Sequence, residues 1–500
     1  MTNTSHTGHP SIAAPPARPA WSGVDLPVDA SGGRTSTAVA REILAAAVRG
    51  IDPAAAARID GTDDWRSGYV HAVRAATIAT GDSVHDEITV ARDGLAAMRR
   101  LMVHAGKTDV ALQIFDPPFA DPGDTLEIPG RGPAVDQLEI PYRGEILRGT
   151  ALLEQVGRWV EDGIVQPGVA DAIARIVAHP RRLRLEGRSI AVIGAAGEMS
   201  PFRALASWGA DVLAIDVPSG RVQDAVTAIA EHGSGTTAVP IGTSGVPGAD
   251  LVTEPCELAD WIHARAGDNE LVLGMYAYAD RAMHLRLSAA FDLIRERLTA
   301  RRRSVAVAGL ATPTDAFVVP GRTVARAERA WEGRGWRAVA QLPLRVASGG
   351  RLLAPAYRDG EDIADVLVPQ QGPNYAVAKR VQRWIATDAA ASGHPASFNV
   401  APASWTRSVL KNRVLASAYA GADIFGIEVF APETARTLMA ALLVDDLHRT
   451  GDRLTAPGVL FSDLAVHGGL WNRAYEPRSG LGLAAAIGAL RRGPARRPSA

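Results

Sequence analysis

Cysteine and lysine are the residues this chain has least of. Among 500 residues there is one cysteine, Cys256, and only three lysines, Lys107, Lys379 and Lys411, within 53 basic residues. A single thiol excludes an internal disulfide framework and points to a reducing, cytoplasmic setting. The charges nearly cancel, 53 basic against 54 acidic, so there is no electrostatic footprint for nucleic acid or an anionic membrane. No window approaches the roughly eighteen uninterrupted apolar residues of a membrane span. The N-terminus also lacks the charged-then-apolar layout of a secretory signal. The expected protein is soluble and cytoplasmic, with no nucleic-acid partner, no membrane partner and no metal. Arginine carries nearly all the positive charge, so the position of each lysine is informative.

What the chain does have is one well-marked strand–turn–helix–strand unit. Residues 188–193 form an apolar, β-branched run that enters Gly194-Ala195-Ala196-Gly197-Glu198-Met199-Ser200. A helical pattern follows over 201–208, Gly209 stops it, and 210–215 is a second apolar run closed by Asp216 and Val217. This is the pattern of a βαβ dinucleotide-binding unit, with the spacing G-x-x-G-x-x-S. Glycines let the backbone approach a pyrophosphate, and a helix N-terminus offers it unpaired N–H groups. Asp216 is placed to accept from the adenosine ribose hydroxyls. The candidate cofactor residues are therefore Gly194, Ala195, Ala196, Gly197, Glu198, Met199, Asp216 and Val217. A carboxylate repels a 2′-phosphate, which favours NAD; Arg221 stands close enough in sequence to admit NADP.

At this length two domains are expected. Residues 1–34, rich in Ser, Thr, Pro, Gly and Ala, read as a disordered tail. Residues 35–184 read as a mainly helical N-terminal domain, with a strand at 109–115 and a stretch, 116–132, too broken for helix or strand. Residues 185–490 continue the alternation with strands at 236–240, 270–278 and 304–310. A helix at 283–300 carries Leu287, Phe291, Ile294 and Leu298 as its apolar face. Repeated β-α-β implies an α/β fold, a doubly wound parallel sheet of Rossmann type. Ligands bind such sheets outside the C-terminal strand ends, which directs Gly194, Asp216, Tyr276, Tyr278, Thr312 and Thr314 at one crevice. Residues 317–369 fit the alternation poorly and read as an inserted lid. Trp331, Trp336 and Trp405 read as packing residues, and 491–500 as a flexible tail.

Asn374-Tyr375-Ala376-Val377-Ala378-Lys379 sets a tyrosine and a scarce lysine at i, i+4 on one helix face. A neighbouring ammonium favours phenolate and would suit Tyr375 to acid–base work near neutrality. A packed tyrosine beside a solvated lysine is the structural alternative. The order of glycine turn, acid-tipped strand, Tyr375-x-x-x-Lys379 and Phe398-Asn399-Val400-Ala401-Pro402 resembles the short-chain dehydrogenase/reductase superfamily over about 188–420. Met275-Tyr276-Ala277-Tyr278 stands where that family has Asn-Asn-Ala-Gly, and Ala403 where it has glycine.

The resemblance implies an atypical NAD(P)-dependent oxidoreductase acting on an alcohol or carbonyl of small-molecule size. Tyr375 would exchange a proton with the substrate oxygen. Lys379 would lower the phenol's pKa and hold the nicotinamide ribose, and Thr312 (or Thr314) would hydrogen-bond the substrate carbonyl. Pro402 and Tyr276 would lie on the cofactor, with Thr406 toward its phosphates. Family members commonly form homo-oligomers. Three alternatives share the glycine turn: an NAD-dependent epimerase or dehydratase, an S-adenosylmethionine methyltransferase, and a non-catalytic dinucleotide-binding protein.

Overall fold

The structure, a computed structural model, describes residues 22–491 apart from 82, 120 and 359. Seven strands make the central sheet: β1 (Thr125–Pro129), β2 (Arg188–Ile193), β3 (Asp211–Ile215), β4 (Thr236–Pro240), β5 (Glu270–Met275), β6 (Val305–Ala311) and β7 (Ala396–Val400). Across the sheet they run β7-β6-β5-β2-β3-β4-β1. Strands β2 to β7 are mutually parallel, and β1 lies antiparallel on β4. The six parallel strands take the order 6-5-4-1-2-3 when counted from β2. That order is compatible with a Rossmann-like α/β fold and puts the topological switch point between β2 and β5.

Successive strand residues alternate between two cores. Ala191, Ile193, Leu213, Ile215, Leu271 and Leu273 enter one, while Ile190, Val192, Val212, Ala214 and Val272 enter the other. A sheet buried on both faces needs apolar residues at both parities, which is why these strands read as unbroken hydrophobic runs. Helices Ser36–Arg49, Trp65–Ile78, Val84–Leu101, Pro255–Ala266, Ala282–Thr299 and Pro373–Ala391 cover the first face. Helices Gly149–Glu161, Pro167–Ala178, Phe202–Ser207, Gly220–His232 and Pro432–His448 cover the second.

Several expectations change on this frame. The helices within residues 35–184 share their buried clusters with the sheet. Gly94 lies so close to Trp384 that a Cβ would enter the indole ring, and Arg92 pairs with Asp388 at 3.0 Å. On the opposite face Arg175 grips Asp445 through two bonds of 2.8 and 2.6 Å. An amphipathic helix must bury its stripe somewhere, and here the partner layer lies far along the chain. The broken-looking stretch 116–132 supplies β1, whose pairing comes from β4, a partner no local pattern reveals.

At the termini, residues 1–21 and 492–500 lie outside the described residues. Gly23–Asp25, assigned to the tail, is a strand against Val103–Ala105 with Val24 fully buried. The expected strand 109–115 is only Val110–Ala111 followed by a short 3-10 turn. The insertion holds a strand pair, Ala316–Val318 with Ile363–Asp365, and two helices, Gly321–Glu332 and Trp336–Ala347. The second has no buried residue. Trp336 is 76 % exposed and so does not pack as expected, whereas Trp331 carries the Arg334 and Arg345 guanidiniums on its ring. No described helix is long and apolar enough to cross a membrane.

Candidate functional site

The glycine turn is closed in on itself. Gly194 has φ of +83°, a conformation that favours glycine. The chain leaving β5 passes straight over it, so a Cβ there would collide with the Ala277 backbone. The Gly194 and Ala195 N–H groups both donate to the Ile215 carbonyl at 2.8 and 3.2 Å, and Gly197 N–H donates to the Gly194 carbonyl at 2.9 Å. Ala196 N–H donates to Asp216 Oδ2, and Val217 N–H to Asp216 Oδ1, each at 2.9 Å. Burial pushes the Asp216 carboxyl up, partly offset by those two bonds. Each oxygen keeps a lone pair for a ligand hydroxyl.

The turn does not open directly onto a helix N-terminus. The helix Phe202–Ser207 begins five residues beyond Gly197 and has six residues. The anion-binding role expected of the turn amides is therefore largely taken by internal bonds. Positive charge comes instead from side chains. Arg203 and Arg436 lie close together here, and burial and Arg203 both push the Arg436 guanidinium down. Glu198 Oε2 accepts from Arg407 N–H at 2.9 Å, tying the turn to the segment after β7. Met199 and Tyr276 pack on the second core; the Tyr276 ring folds back over Gly274, and burial raises its phenol.

The other half of the crevice is built by β5, β6 and the Pro373–Ala391 helix. Gly372 (φ +82°) turns the chain and Pro373 starts the helix with φ already set, which delivers Tyr375 in its first turn. Thr312 is near enough to the Tyr375 hydroxyl to act on its ionisation, and Thr312 Oγ1 lies 3.0 Å from Thr314 Oγ1. Lys379 Nζ donates to the Leu310 carbonyl (3.2 Å) and to Gln382 Oε1 (2.9 Å). Burial lowers this ammonium to about 8. The phenol of Tyr375 is pushed up by burial, with Thr312 only partly offsetting it. The lowered phenol pKa expected from the lysine is thus reversed, because desolvation outweighs an ammonium that is turned to other partners.

Beneath this half Asp315 receives Arg380 and Arg383, each at 2.8 Å. All three side chains are buried, and they fix the helix to the segment that follows β6. Pro402 accepts the Ser404 hydroxyl at 3.0 Å, and Thr406 Oγ1 lies 3.0 Å from Ser408 Oγ. Both follow β7. Thr406 immediately precedes Arg407, the residue tied to Glu198.

Sequence reasoning missed His284. It stacks on Tyr375 with ring centroids 5.3 Å apart and planes at 15°. Tyr278 completes the cluster, 5.4 Å from His284 and 6.0 Å from Tyr375. Burial, aided by Lys379, lowers His284 to about 3, so it is neutral at physiological pH. Its Nε2 has no hydrogen-bond partner. A signal was present: His284, Ser288, Asp292 and Arg295 repeat at helical spacing and all are buried, while Leu287, expected in the core, is only partly so.

Comparison with known protein families, curated proteins and solved structures gives no match. Among the described residues no group of three His, Cys, Asp or Glu side chains is placed to hold a metal ion. The site's chemistry therefore has to be argued from its own geometry.

Proposed function

We propose that the protein is an NAD(P)-dependent oxidoreductase that acts on a carbonyl or alcohol, with Tyr375 as its acid–base group. The observation that carries this reading is the cluster at the start of the Pro373–Ala391 helix, where Tyr375 stacks on His284 near Thr312, with Lys379 one turn further along the same helix.

The residues present fit a dinucleotide. Asp216 stands half-buried at a strand tip with free lone pairs for ribose hydroxyls. Arg203 and Arg436 repel each other beside the glycine turn, a strain that a pyrophosphate would relieve. When bound, the nicotinamide supplies or accepts the hydride. The Asp216 carboxylate favours NAD over NADP.

The chain's own groups handle the oxygen. A phenol held above its ordinary pKa keeps its proton at neutral pH, so Tyr375 is set to donate to a carbonyl oxygen, the reductive direction. Thr312 Oγ1 is near the phenol and can orient the same oxygen. His284, neutral and stacked, fixes the ring plane without adding charge. Lys379 adds positive charge beneath the site below about pH 8.

The antiparallel strand that methyltransferase sheets generally carry at their end is supplied here by β1, which precedes the βαβ unit. The Tyr375 cluster also has no role in methyl transfer. One observation favours a second reading, a dinucleotide-binding protein without catalysis: the turn amides and Lys379 are satisfied internally.

Calorimetric titration with NAD⁺, NADH, NADP⁺, NADPH and S-adenosylmethionine tests the cofactor. NAD(H) binding, weakened in Asp216→Ala, is expected; binding of S-adenosylmethionine alone would sink the reading. Tyr375→Phe is expected to lower carbonyl reduction about 100-fold or more, within the range typical of general-acid removal. NADH binding should be unchanged in that variant. Binding without turnover in any carbonyl screen would favour the non-catalytic alternative.

A further inference from the structure

An apolar cleft adjoins the hydroxyl cluster. Its cavity measures about 80 Å³ and opens to solvent. Thr314 stands in its wall, 3.0 Å from the Thr312 hydroxyl. Tyr419, also in the wall, packs edge-on against Trp405. Much of the rest is hydrocarbon: Val366 and Val368 from the end of the insertion, and Leu415, Ala418 and Leu481 from two C-terminal helices.

Three polar side chains that reach the cleft have partners in the protein, although Arg473 Nε has none. Glu476 takes Arg478, the Tyr475 hydroxyl donates to Gln341 at 2.8 Å, and Arg473 donates to the Gly426 carbonyl. The wall is also fixed. Helices Arg413–Ala420 and Pro477–Arg491 meet through Gly421 and Gly488, where a Cβ on either would strike the other helix's backbone. A space walled this way cannot be filled by collapse, and water gains few partners in it.

We propose that this cleft takes the hydrocarbon body of a lipophilic substrate, an aliphatic or alicyclic compound bearing one carbonyl or hydroxyl group. Its oxygen is held at Thr312 and Tyr375. The placement of the oxygen rests on the oxidoreductase reading; the apolar body rests on the cleft alone. In the reductive direction the carbonyl oxygen takes the Tyr375 proton and the carbonyl carbon takes a hydride from reduced nicotinamide dinucleotide, which is oxidised. Solvent then returns a proton to Tyr375.

The test uses the full chain and a series of n-alkan-1-ols from butanol to decanol, titrated by calorimetry, with NADH titrated in parallel. Saturable one-to-one binding that tightens roughly three- to fourfold per methylene is expected, since each buried CH₂ contributes about that factor. Ala418→Trp, which fills the cleft, should weaken decanol binding at least tenfold and leave NADH binding unchanged. Ala418→Leu, a milder filling, serves if the tryptophan variant does not fold. A flat wild-type series, or a filled variant that binds decanol as tightly as wild type, overturns the proposal. Alcohols that bind as expected without NADH binding would leave the cleft assigned and remove the oxidoreductase reading. NADH binding with a flat alcohol series would do the reverse.

Discussion

The two halves of the crevice are built on opposite principles. On the β2–β3 side, four successive turn amides are spent on Ile215, Asp216 and Gly194. On the β5–β6 side the protein leaves capacity unused: His284 Nε2 has no partner, and Thr314 borders an apolar cleft. Satisfied polar groups make a rigid frame, whereas unsatisfied ones cost stability unless a ligand repays them. The difference teaches where binding specificity resides. The glycine turn sets the geometry of the switch point, and the proposed chemistry falls to the tyrosine side.

The sharpest way to break this comparison lies beneath the tyrosine half. Asp315→Ala strands Arg380 and Arg383 as buried, uncompensated cations, and a loss of about 3–5 kcal/mol is expected in denaturant unfolding. A loss below about 1 kcal/mol would show that the helix is held by packing alone. Next is Asp216. Its replacement by Ala leaves the Ala196 and Val217 N–H groups without an acceptor, costing about 1–3 kcal/mol. Asp216→Asn retains one acceptor oxygen and should recover part of that stability while still weakening NAD(H). If both variants unfold alike, the carboxylate is not the tie that closes the turn.

The smallest effects are read in pH profiles. Lys379 falls from an ordinary 10.5 to about 8 on folding, so between those values the unfolded chain holds a proton that the folded chain does not. Wild-type stability should therefore rise with pH relative to Lys379→Met across that window, by at most about 1.4 kcal/mol per pH unit. A pH-independent difference would mean that the ammonium is not desolvated. His284 and His467 are both lowered to about 3 by burial. Their contribution is complete above the ordinary 6.5 and is lost as pH falls below it. His467→Gln should flatten the acid limb of a thermal-melt profile between pH 6.5 and 5. An unchanged limb would assign acid sensitivity elsewhere.

The sheet was legible because it is buried on both faces. Its apolar runs at 188–193, 211–215 and 305–311 leave no polar parity to confuse a strand with a helix. Asp216 and the Tyr375–Lys379 spacing were legible as positions, since strand tips and helical i, i+4 pairs are local properties. Their electrostatics were not. Whether the phenol's pKa rises or falls depends on how deeply the helix sinks and on where Lys379 turns, and neither is written in six residues. Strand β1 and His284 escaped for the same reason: each derives its role from a partner more than ninety residues away. The long-range partners of the helices within 35–184 were not legible, because an apolar stripe announces that it must be covered without saying by what.

The close seating of Gly94 on Trp384 also has a meaning for synthesis. Helices completed within the first hundred residues cannot close their core until almost three hundred more have left the ribosome. During that interval their apolar stripes are uncovered, and long-range contacts of this kind slow folding and favour aggregation. Truncation before the Pro373–Ala391 helix should yield insoluble material, with no stable N-terminal fragment. Yield in a host would then depend on translation rate and chaperone supply more than on the stability of the finished fold.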